Sequence, residues 1–426
     1  MKLMHISDLH IGKRLNEYSL LEDQAYILEQ MLDIAQSERP DAVLIAGDVY
    51  DKSVPSAEAV RLFDRFLSRL ADGKRKVCVI SGNHDSPERL SFGASLMVPS
   101  GVHVAPVYEG ELTHVRIESG GDAAEIYMLP FVRPAHVRRF FPDESIESYT
   151  DAIRLILGGV VLDASVCNVL MTHQFVAGAT LCESEEISVG GSEAVDASVF
   201  DAFDYVALGH LHSPQYVHRE QVRYPGSPLK YSFSEADHKK SVTIAECGQA
   251  GAASKLPAAE TASVQPGSPA AGKLPASETA SIRPGADAAS ERTPAADITI
   301  RTVPLKPLRD MQEIRGDYAT LISRPYYIDK DTQAFTRVTL TDEQEVPDAM
   351  AKLQIVYPNL LRLDYDNART KTGASFLDAE RIRDKPPIEV FSEFYEKQNG
   401  QPLSEEGVNI AKRIIEKIWD EKGGVS

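Results

Sequence analysis

No CxxC pair occurs in this chain, and its four cysteines, Cys78, Cys167, Cys182 and Cys247, lie far apart. That spacing indicates neither a zinc ribbon nor a disulfide framework, and it fits a reducing cytosol. No apolar run is long enough to span a membrane. The first residues, MKLMHISD, carry no long apolar signal core and already read as a strand. A surplus of basic residues is missing as well: 45 Lys and Arg face 63 Asp and Glu, for a formal net charge of −18. This argues against a broad cationic surface that grips nucleic acid. It leaves room for an enzyme that meets phosphates through bound cations, whose charge a sequence does not count.

What the chain does hold is apolar residues in short, regular runs. Hydrophobic residues make up 43% of 426, enough for a sizeable core spread over two or three domains. Strand candidates are 2–7 (KLMHIS), 41–46 (DAVLIA), 76–81 (KVCVIS), 166–171 (VCNVLM) and 204–208 (DYVAL). They are rich in Val, Ile and Leu, as strands covered on both faces are. Segments 19–36 and 56–71 read as amphipathic helices between them. The fold class is α/β, and a central sheet with helices on its faces, in three layers, would bury these runs.

Residues 248–296 differ in kind. They are rich in Ala, Pro, Gly, Ser and Thr, and KLPAAETASVQPG (255–267) returns as KLPASETASIRPG (273–285). Such composition buries too little apolar surface to offset the entropy of ordering, so it reads as a disordered, duplicated spacer. The flanking segments 241–246 (SVTIAE) and 298–303 (ITIRTV) are strand-like and able to pair across it, because loop closure grows costly only slowly with length. A strand at 334–340, a helix at 346–356 and a strand at 359–364 then suggest a small α+β domain. The tail, 387–421, reads as two amphipathic helices. Ile388, Phe391, Phe394 and Tyr395 mark the first, and Val408, Ala411, Ile414, Ile415 and Ile418 the second.

The five buried-type strands share one feature: each runs into polar residues. The endings are Asp8-Leu9-His10, Gly47-Asp48-Val49-Tyr50-Asp51, Gly82-Asn83-His84-Asp85, Thr172-His173 and Gly209-His210-Leu211-His212. Any one alone would be a capped turn or a satisfied loop histidine. Together they point to one rim, since sites in open α/β sheets form outside the carboxyl ends of the strands. Imidazole, carboxylate and amide oxygen without thiolate suit manganese, iron or zinc in a reactive site rather than a structural zinc site. In an extended segment, Asp8-x-His10 and His210-x-His212 would each present two ligands on one side. So many donors exceed the needs of one ion and suit two about 3.5–4 Å apart, with Asp48, in the middle of the set, as the bridging carboxylate.

The order D-x-H, G-D-x-x-D, G-N-H-D, H, G-H-x-H resembles the signature of the calcineurin-like metallophosphoesterases. Longer stretches resemble one branch of that family, the bacterial exonuclease subunits that are similar to the nuclease of the eukaryotic double-strand-break repair complex. These are SDLHIGKRL (7–15), GDVYDKSVPSAEAV (47–60), GNHDSPERL (82–90), THQFVAG (172–178), DYVALGHLHSPQ (204–215), YPGSPLKYSFSEADHKKSV (224–242), PLKPLRDM (304–311) and FSEFYEKQNGQPLSEE (391–406). Only the insertion departs from it. The resemblance implies a layered α/β/β/α core at 1–240, a small α+β capping domain at 241–380 interrupted by 248–296, and a helical partner-binding tail at 381–426. It implies that Asp8, His10, Asp48 and His212 hold one divalent ion, and Asp48, Asn83, His173 and His210 the other. His84 is then a catalytic residue facing the phosphate, with Asp85 orienting it.

The same resemblance implies Mn²⁺-dependent hydrolysis of DNA at ends and hairpins, in repair, recombination and replication. It implies an SMC-like ATPase with a long coiled coil as partner, docked on the tail helices. It also implies a homodimer within a heterotetramer, with segments 56–71 and 87–98 as the homodimer contact, and a bacterial cytoplasmic, nucleoid-associated location without a membrane. Two alternatives stand beside it. One is a related phosphodiesterase acting on a small molecule or a phosphoprotein, which would need neither 224–242 nor the tail. The other is a non-catalytic scaffold, which the complete ligand set argues against.

Overall fold

The computed structural model describes residues 1–72, 75–182, 185, 194–249, 296–367, 387–399, 402–404 and 407–412. In chain order the strands are β1 (Lys2–Ile6), β2 (Arg14–Leu15), β3 (Tyr18–Ser19), β4 (Ala42–Ala46), β5 (Lys76–Ile80), β6 (Val102–Ala105), β7 (Thr113–Ser119), β8 (Asp122–Leu129) and β9 (Cys167–His173). They continue with β10 (Tyr205–Gly209), β11 (Gln215–Val217), β12 (Arg219–Tyr224), β13 (Ser241–Gln249), β14 (Ala296–Pro304), β15 (Met311–Gly316), β16 (Phe335–Leu340) and β17 (Leu360–Tyr365).

The apolar runs do not share one central sheet. They divide between two six-stranded sheets, ordered β14-β13-β1-β4-β5-β6 and β11-β12-β10-β9-β8-β7. Side chains alternate across a strand, and in the apolar runs β4, β9 and β10 both faces find cover. On β4, Ala42, Leu44 and Ala46 meet Ala124, Ile126, Val169, Met171 and Ala207 of the other sheet. Val43 and Ile45 point the opposite way and are equally buried. The outer face of the second sheet is closed by Ala152, Ile153 and Ile156 of the helix Tyr149–Gly158. The layering is therefore the α/β/β/α that the family resemblance implies. A run buried against a second sheet reads like one buried against helices, so the strand pattern alone suggested three layers.

The helix Ala57–Ala71 starts at Ser56, whose hydroxyl accepts from the Ala59 N–H. It buries Ala59, Leu62, Phe63, Phe66, Leu67 and Leu70, a stripe at helical spacing. The helix Leu21–Glu38 buries Ile27, Leu28, Met31, Leu32 and Ala35, and it ends where Arg39 turns left-handed at φ 51°.

β13 and β14 pair antiparallel from Ser241↔Pro304 to Gln249↔Ala296, so the strands flanking the insertion do join. They extend the first sheet, with Ile244 of β13 opposite Met4 of β1. Consequently 241–249 and 296–304 belong to the first compact unit, which comprises Met1–Glu313 and Gln333–Thr336. The boundary expected after residue 240 falls later, because the edge of β1 needs these strands as partners. The duplicated repeats themselves lie outside the described residues.

The second unit comprises Ile314–Thr332 and Arg337–Ser426. Its core packs Val338, Leu340, Leu353, Tyr357 and Leu360, from the strand-helix-strand pattern expected at 334–364, against Ile314 of β15 and Leu321 of the helix Tyr318–Leu321. A helix spans Pro387–Asn399, and residues 407–412 are helical. Ile414, Ile415 and Ile418 lie outside the described residues. No helix among the described residues is long and apolar enough to cross a membrane.

Candidate metal centre

β1, β4 and β5 are parallel neighbours in one sheet, and β8, β9 and β10 in the other. Their carboxyl ends meet, closely enough that Gly209 and Gly82, among other positions, admit only glycine. A Cβ on Gly209 would lie 1.8 Å from the Ala46 carbonyl oxygen, across the two sheets. One on Gly82 would lie 2.0 Å from Asp48 Oδ1.

At four of the expected ligand positions the backbone is not extended. Asp8 (φ 54°), His10 (φ 42°), Asp48 (φ 51°) and His210 (φ 110°) all have positive φ. For residues other than glycine this costs roughly 1–3 kcal/mol each and persists only where the surroundings enforce it. Enforcement comes from the backbone: Asp8 N donates to Gly47 O (3.1 Å), His10 N to Asp48 O (3.0 Å) and Ile11 N to Val49 O (2.9 Å). So tight left-handed turns, and not the alternation of a straight strand, turn Asp8, His10 and His210 inward. The Asp8 carboxylate accepts from His210 N at 3.1 and 3.2 Å, which ties the end of β1 to that of β10.

All nine expected residues gather here. His10 Nε2 lies 3.1 Å from His212 Nε2 and 3.5 Å from Asp48 Oδ2. His173 Nε2 lies 3.4 Å from the same Asp48 oxygen and 3.1 Å from Asn83 Oδ1. His210 Nδ1 lies 3.0 Å from Asn83 Oδ1. Possible ligand atoms fall within 4.8 Å of one another in the sets Asp8–His10–His212, Asp8–Asp48–His173 and His10–Asp48–His84. The Asp48 carboxylate thus stands between two groups of donors. His84 is the least enclosed histidine of the group, with Nε2 4.0 Å from Asp48 Oδ2.

The donor set fits a cation. The Ala46 carbonyl accepts from His173 Nδ1 at 2.8 Å, which leaves Nε2 as a lone pair aimed at a carboxylate oxygen and an amide oxygen. Acceptor faces acceptor there, so a positive charge belongs between them. A proton can take that place: burial lowers the His173 pKa, but the Asp48 carboxylate outweighs it and lifts the ring to about 9. Burial likewise pushes Asp48 up, yet His173, His10 and His84 overcome it and hold the carboxyl well below its ordinary value. Burial lifts Asp8 to about 6. His10 is driven well below its usual value, and His210 to about 3, both first by burial.

Comparison with known proteins agrees with this geometry. Residues 1–214 match the profile of the calcineurin-like phosphoesterases. Residues 307–399 match SbcD_C, described as the type 5 capsule protein repressor C-terminal domain. The SbcD subunit of the nuclease SbcCD from Staphylococcus epidermidis (strain ATCC 12228 / FDA PCI 1200) is 31% identical over 427 residues, covering 99% of this chain and 100% of that protein. The chain belongs to the SbcD family of calcineurin-like phosphoesterases. It is a metal-dependent phosphodiester hydrolase, and its fold implies a dimetal site. Among solved structures, it is similar to a dimetal phosphatase from Danio rerio (TM-score 0.33, 12% identity, 57% of this chain and 92% of that one). It is similar also to the protein TT1561 of Thermus thermophilus (TM-score 0.34, 13% identity, 57% and 92%).

One expectation for this SbcD-family site needs correction. Asp85 does not orient the His84 ring. Its carboxylate accepts from the backbone N–H groups of Gly82 (2.9 Å), Val49 (3.1 Å) and Tyr50 (2.9 Å), and so clamps two ligand-bearing loops together. The carbonyl of Asp51 is what His84 Nδ1 meets, at 3.2 Å. Asp85 is lifted to about 6, by burial and then by Asp48.

Supporting residues absent from the strand-end pattern complete the centre. His212 Nδ1 meets Glu235 Oε1 at 3.3 Å. Glu235 is held by Lys240 Nζ (2.5 Å), and that ammonium also donates to His212 O (2.8 Å). Burial raises the Glu235 pKa, but His212 and Lys240 outweigh it and keep the carboxyl well below its usual value. Both residues lie in 224–242, a stretch that carried the family resemblance, but no spacing rule links them to His212. Phe131, after β8, is a further arm: its N–H donates to Ser81 O at 3.0 Å, and its ring meets the His173 ring edge-on at 6.4 Å. A search for strands ending in Asp, His or Asn passes over it.

Proposed function

We propose that this chain is the Mn²⁺-dependent nuclease subunit of an SbcCD-type complex, cleaving DNA phosphodiester bonds at ends and hairpins together with an SbcC-type, SMC-like ATPase. The observation that carries this reading is the convergence of donors from five strand ends on the Asp48 carboxylate. Asp8, His10, Asp48 and His212 would hold one cation, and Asp48, Asn83, His173 and His210 the other. Bound there, two divalent ions would supply charge neutralisation at the phosphate and a lowered pKa for the attacking water.

The chain's own residues do the rest. Glu235 and the Ala46 carbonyl fix the ring orientations of His212 and His173, so that their Nε2 atoms face the centre. His84 donates Nδ1–H to the Asp51 carbonyl, which leaves Nε2 towards the open side. In its cationic form, Nε2–H is placed to give a proton to the departing oxygen. The acidic chain needs a partner to hold long DNA. The tail helices, where Phe391 and Ile410 are exposed, offer a helix-on-helix contact for the ATPase coiled coil. Exposed Phe92 and Leu96, at 88% and 81%, support segment 87–98 as a contact with a second copy.

The test is cleavage of end-labelled linear duplex DNA with Mn²⁺, with and without the ATPase partner and ATP, beside His84→Gln. Cleavage that requires Mn²⁺ and disappears in His84→Gln, with metal binding retained, is the expected outcome. Intact DNA under every condition, with hydrolysis of a small aryl phosphodiester, would remove the DNA assignment and keep the metal site.

A further inference from the structure

We propose that Arg133, standing on the ring of Phe131, binds the DNA phosphate next to the scissile one, on the His173–Asn83 side of the centre. The proposal rests on the reading of the site as a DNA phosphodiesterase.

β8 ends at Leu129, and the chain then crosses the rim as Pro130-Phe131-Val132-Arg133. Two contacts fix it there. The Phe131 N–H donates to Ser81 O (3.0 Å), immediately before the Gly82-Asn83-His84 loop. The Phe131 ring stands edge-on to the His173 ring, at 6.4 Å between centroids and 83°. Arg133 lays its guanidinium over this same ring, with Cζ 5.5 Å from the centroid. That is a cation–π distance, and it holds the group without consuming any N–H.

The absence of other partners is what marks Arg133. Among the described residues, no carboxylate and no carbonyl accepts from its guanidinium, and the residue is exposed. Three other basic side chains of this unit are committed elsewhere. Arg138 Nε donates to Ile146 O (2.9 Å), Arg116 is paired with Glu118, Glu125 and Asp163, and Lys13 is paired with Asp51 at 2.8 Å. In a chain with net charge −18, an arginine held on the ring that in turn meets His173, and without a carboxylate or carbonyl partner among the described residues, has its planar fork free for an anion. In a DNA substrate, that anion is the phosphate flanking the one at the metals. A small diester has no such second phosphate, so the contact bears on polymer binding and not on the chemical step.

The experiment compares wild type, Arg133→Gln and Arg133→Lys as full chains with the ATPase partner. Each is assayed on duplex DNA over a salt series and on bis(4-nitrophenyl) phosphate, with bound Mn²⁺ counted. The expected result for Arg133→Gln is a KM for DNA raised about tenfold, as for one lost charge-assisted contact. Its log KM against log salt should flatten by about 0.9, one phosphate contact. Turnover of the small diester and metal content stay unchanged. Arg133→Lys recovers the salt slope but only part of the KM, because an ammonium lacks the fork. Unchanged DNA kinetics in Arg133→Gln overturn the proposal. So does an equal loss on both substrates together with lost metal, which would make Arg133 a prop for His173 alone. A wild type that hydrolyses the small diester but never DNA fails at the functional reading itself, and takes this proposal with it.

Discussion

Replacing Gly209 by alanine tests how the two sheets build the centre. The added methyl would sit 1.8 Å from Ala46 O, 2.9 Å from Ala46 C and 2.7 Å from His173 Nδ1. Two of these atoms are backbone, so no flexible side chain can swing away, and β4 and β10 must part by more than an ångström. The same movement breaks the 2.8 Å hydrogen bond from His173 Nδ1 to Ala46 O that sets the ring's orientation. Overpacking of this kind costs ~1–3 kcal/mol, and loss of an orienting partner weakens metal affinity about 10–100-fold. Gly209→Ala should therefore melt several degrees lower and bind Mn²⁺ at least ~10-fold more weakly at the His173-containing site. Calorimetric titration of the metal-stripped protein, beside a thermal melt, reads both. Gly158→Ala is the control, because a Cβ there meets nothing within 4 Å. Wild-type metal affinity in Gly209→Ala would show that the sheets give way freely, and the account of a site fixed by close backbone approach would be wrong.

Further outcomes follow from particular contacts. Glu235→Gln leaves Lys240 charged and 5% exposed without its carboxylate. It should lower stability by ~3–5 kcal/mol and Mn²⁺ affinity by at least ~10-fold. Adding Lys240→Met should restore stability but not affinity, and a double-mutant cycle of melts and titrations checks it. His5 joins Tyr205 OH (2.9 Å) and Leu208 O (3.1 Å), and burial lowers its pKa to about 3. The unfolded chain therefore takes up this proton first. Stability should fall by ~1.4 kcal/mol per pH unit as pH drops below about 6.5 towards 3. Melts of wild type and His5→Gln between pH 6.5 and 4.5 should differ in slope, and parallel curves would refute the assignment. Residues Gln249 and Ala296 face each other at the end of the β13–β14 ladder, so Asn-Gly in place of 250–295 should close a tight hairpin. Metal-dependent cleavage should survive that replacement, and a large loss would show that the segment is more than a spacer.

Much of the centre was legible because the chain writes it locally. An apolar run such as AVLIA (42–46) followed by Gly-Asp needs no knowledge of the fold to be read as a strand delivering a polar group. What stayed hidden depends on pairing between distant segments. Nothing in KVCVI (76–80) or CNVLM (167–171) says that one lies in the first sheet and the other in the second, because both are buried on both faces. Asp85 looked like a partner for its neighbour His84, yet three unpaired backbone N–H groups, from Gly82, Val49 and Tyr50, claimed its carboxylate. A buried donor must be satisfied, and that demand outranked proximity in sequence. Glu235 and Phe131 were invisible for the same reason: each acts on a histidine that the chain brings to it from far away.

The glycines in the motifs take on a definite meaning from this. Asp8, His10, Asp48 and His210 are all held at positive φ, and together that costs several kcal/mol of local strain. Such strain persists only if the backbones around it cannot relax. Gly82 packs against Asp48, and Gly209 against Ala46, at distances no side chain permits. The close approach blocks the relaxed alternatives and sets the spacing of the donors before any ion arrives. A substitution at either glycine should thus weaken metal binding about 10–100-fold, although neither glycine has an atom that a metal would touch.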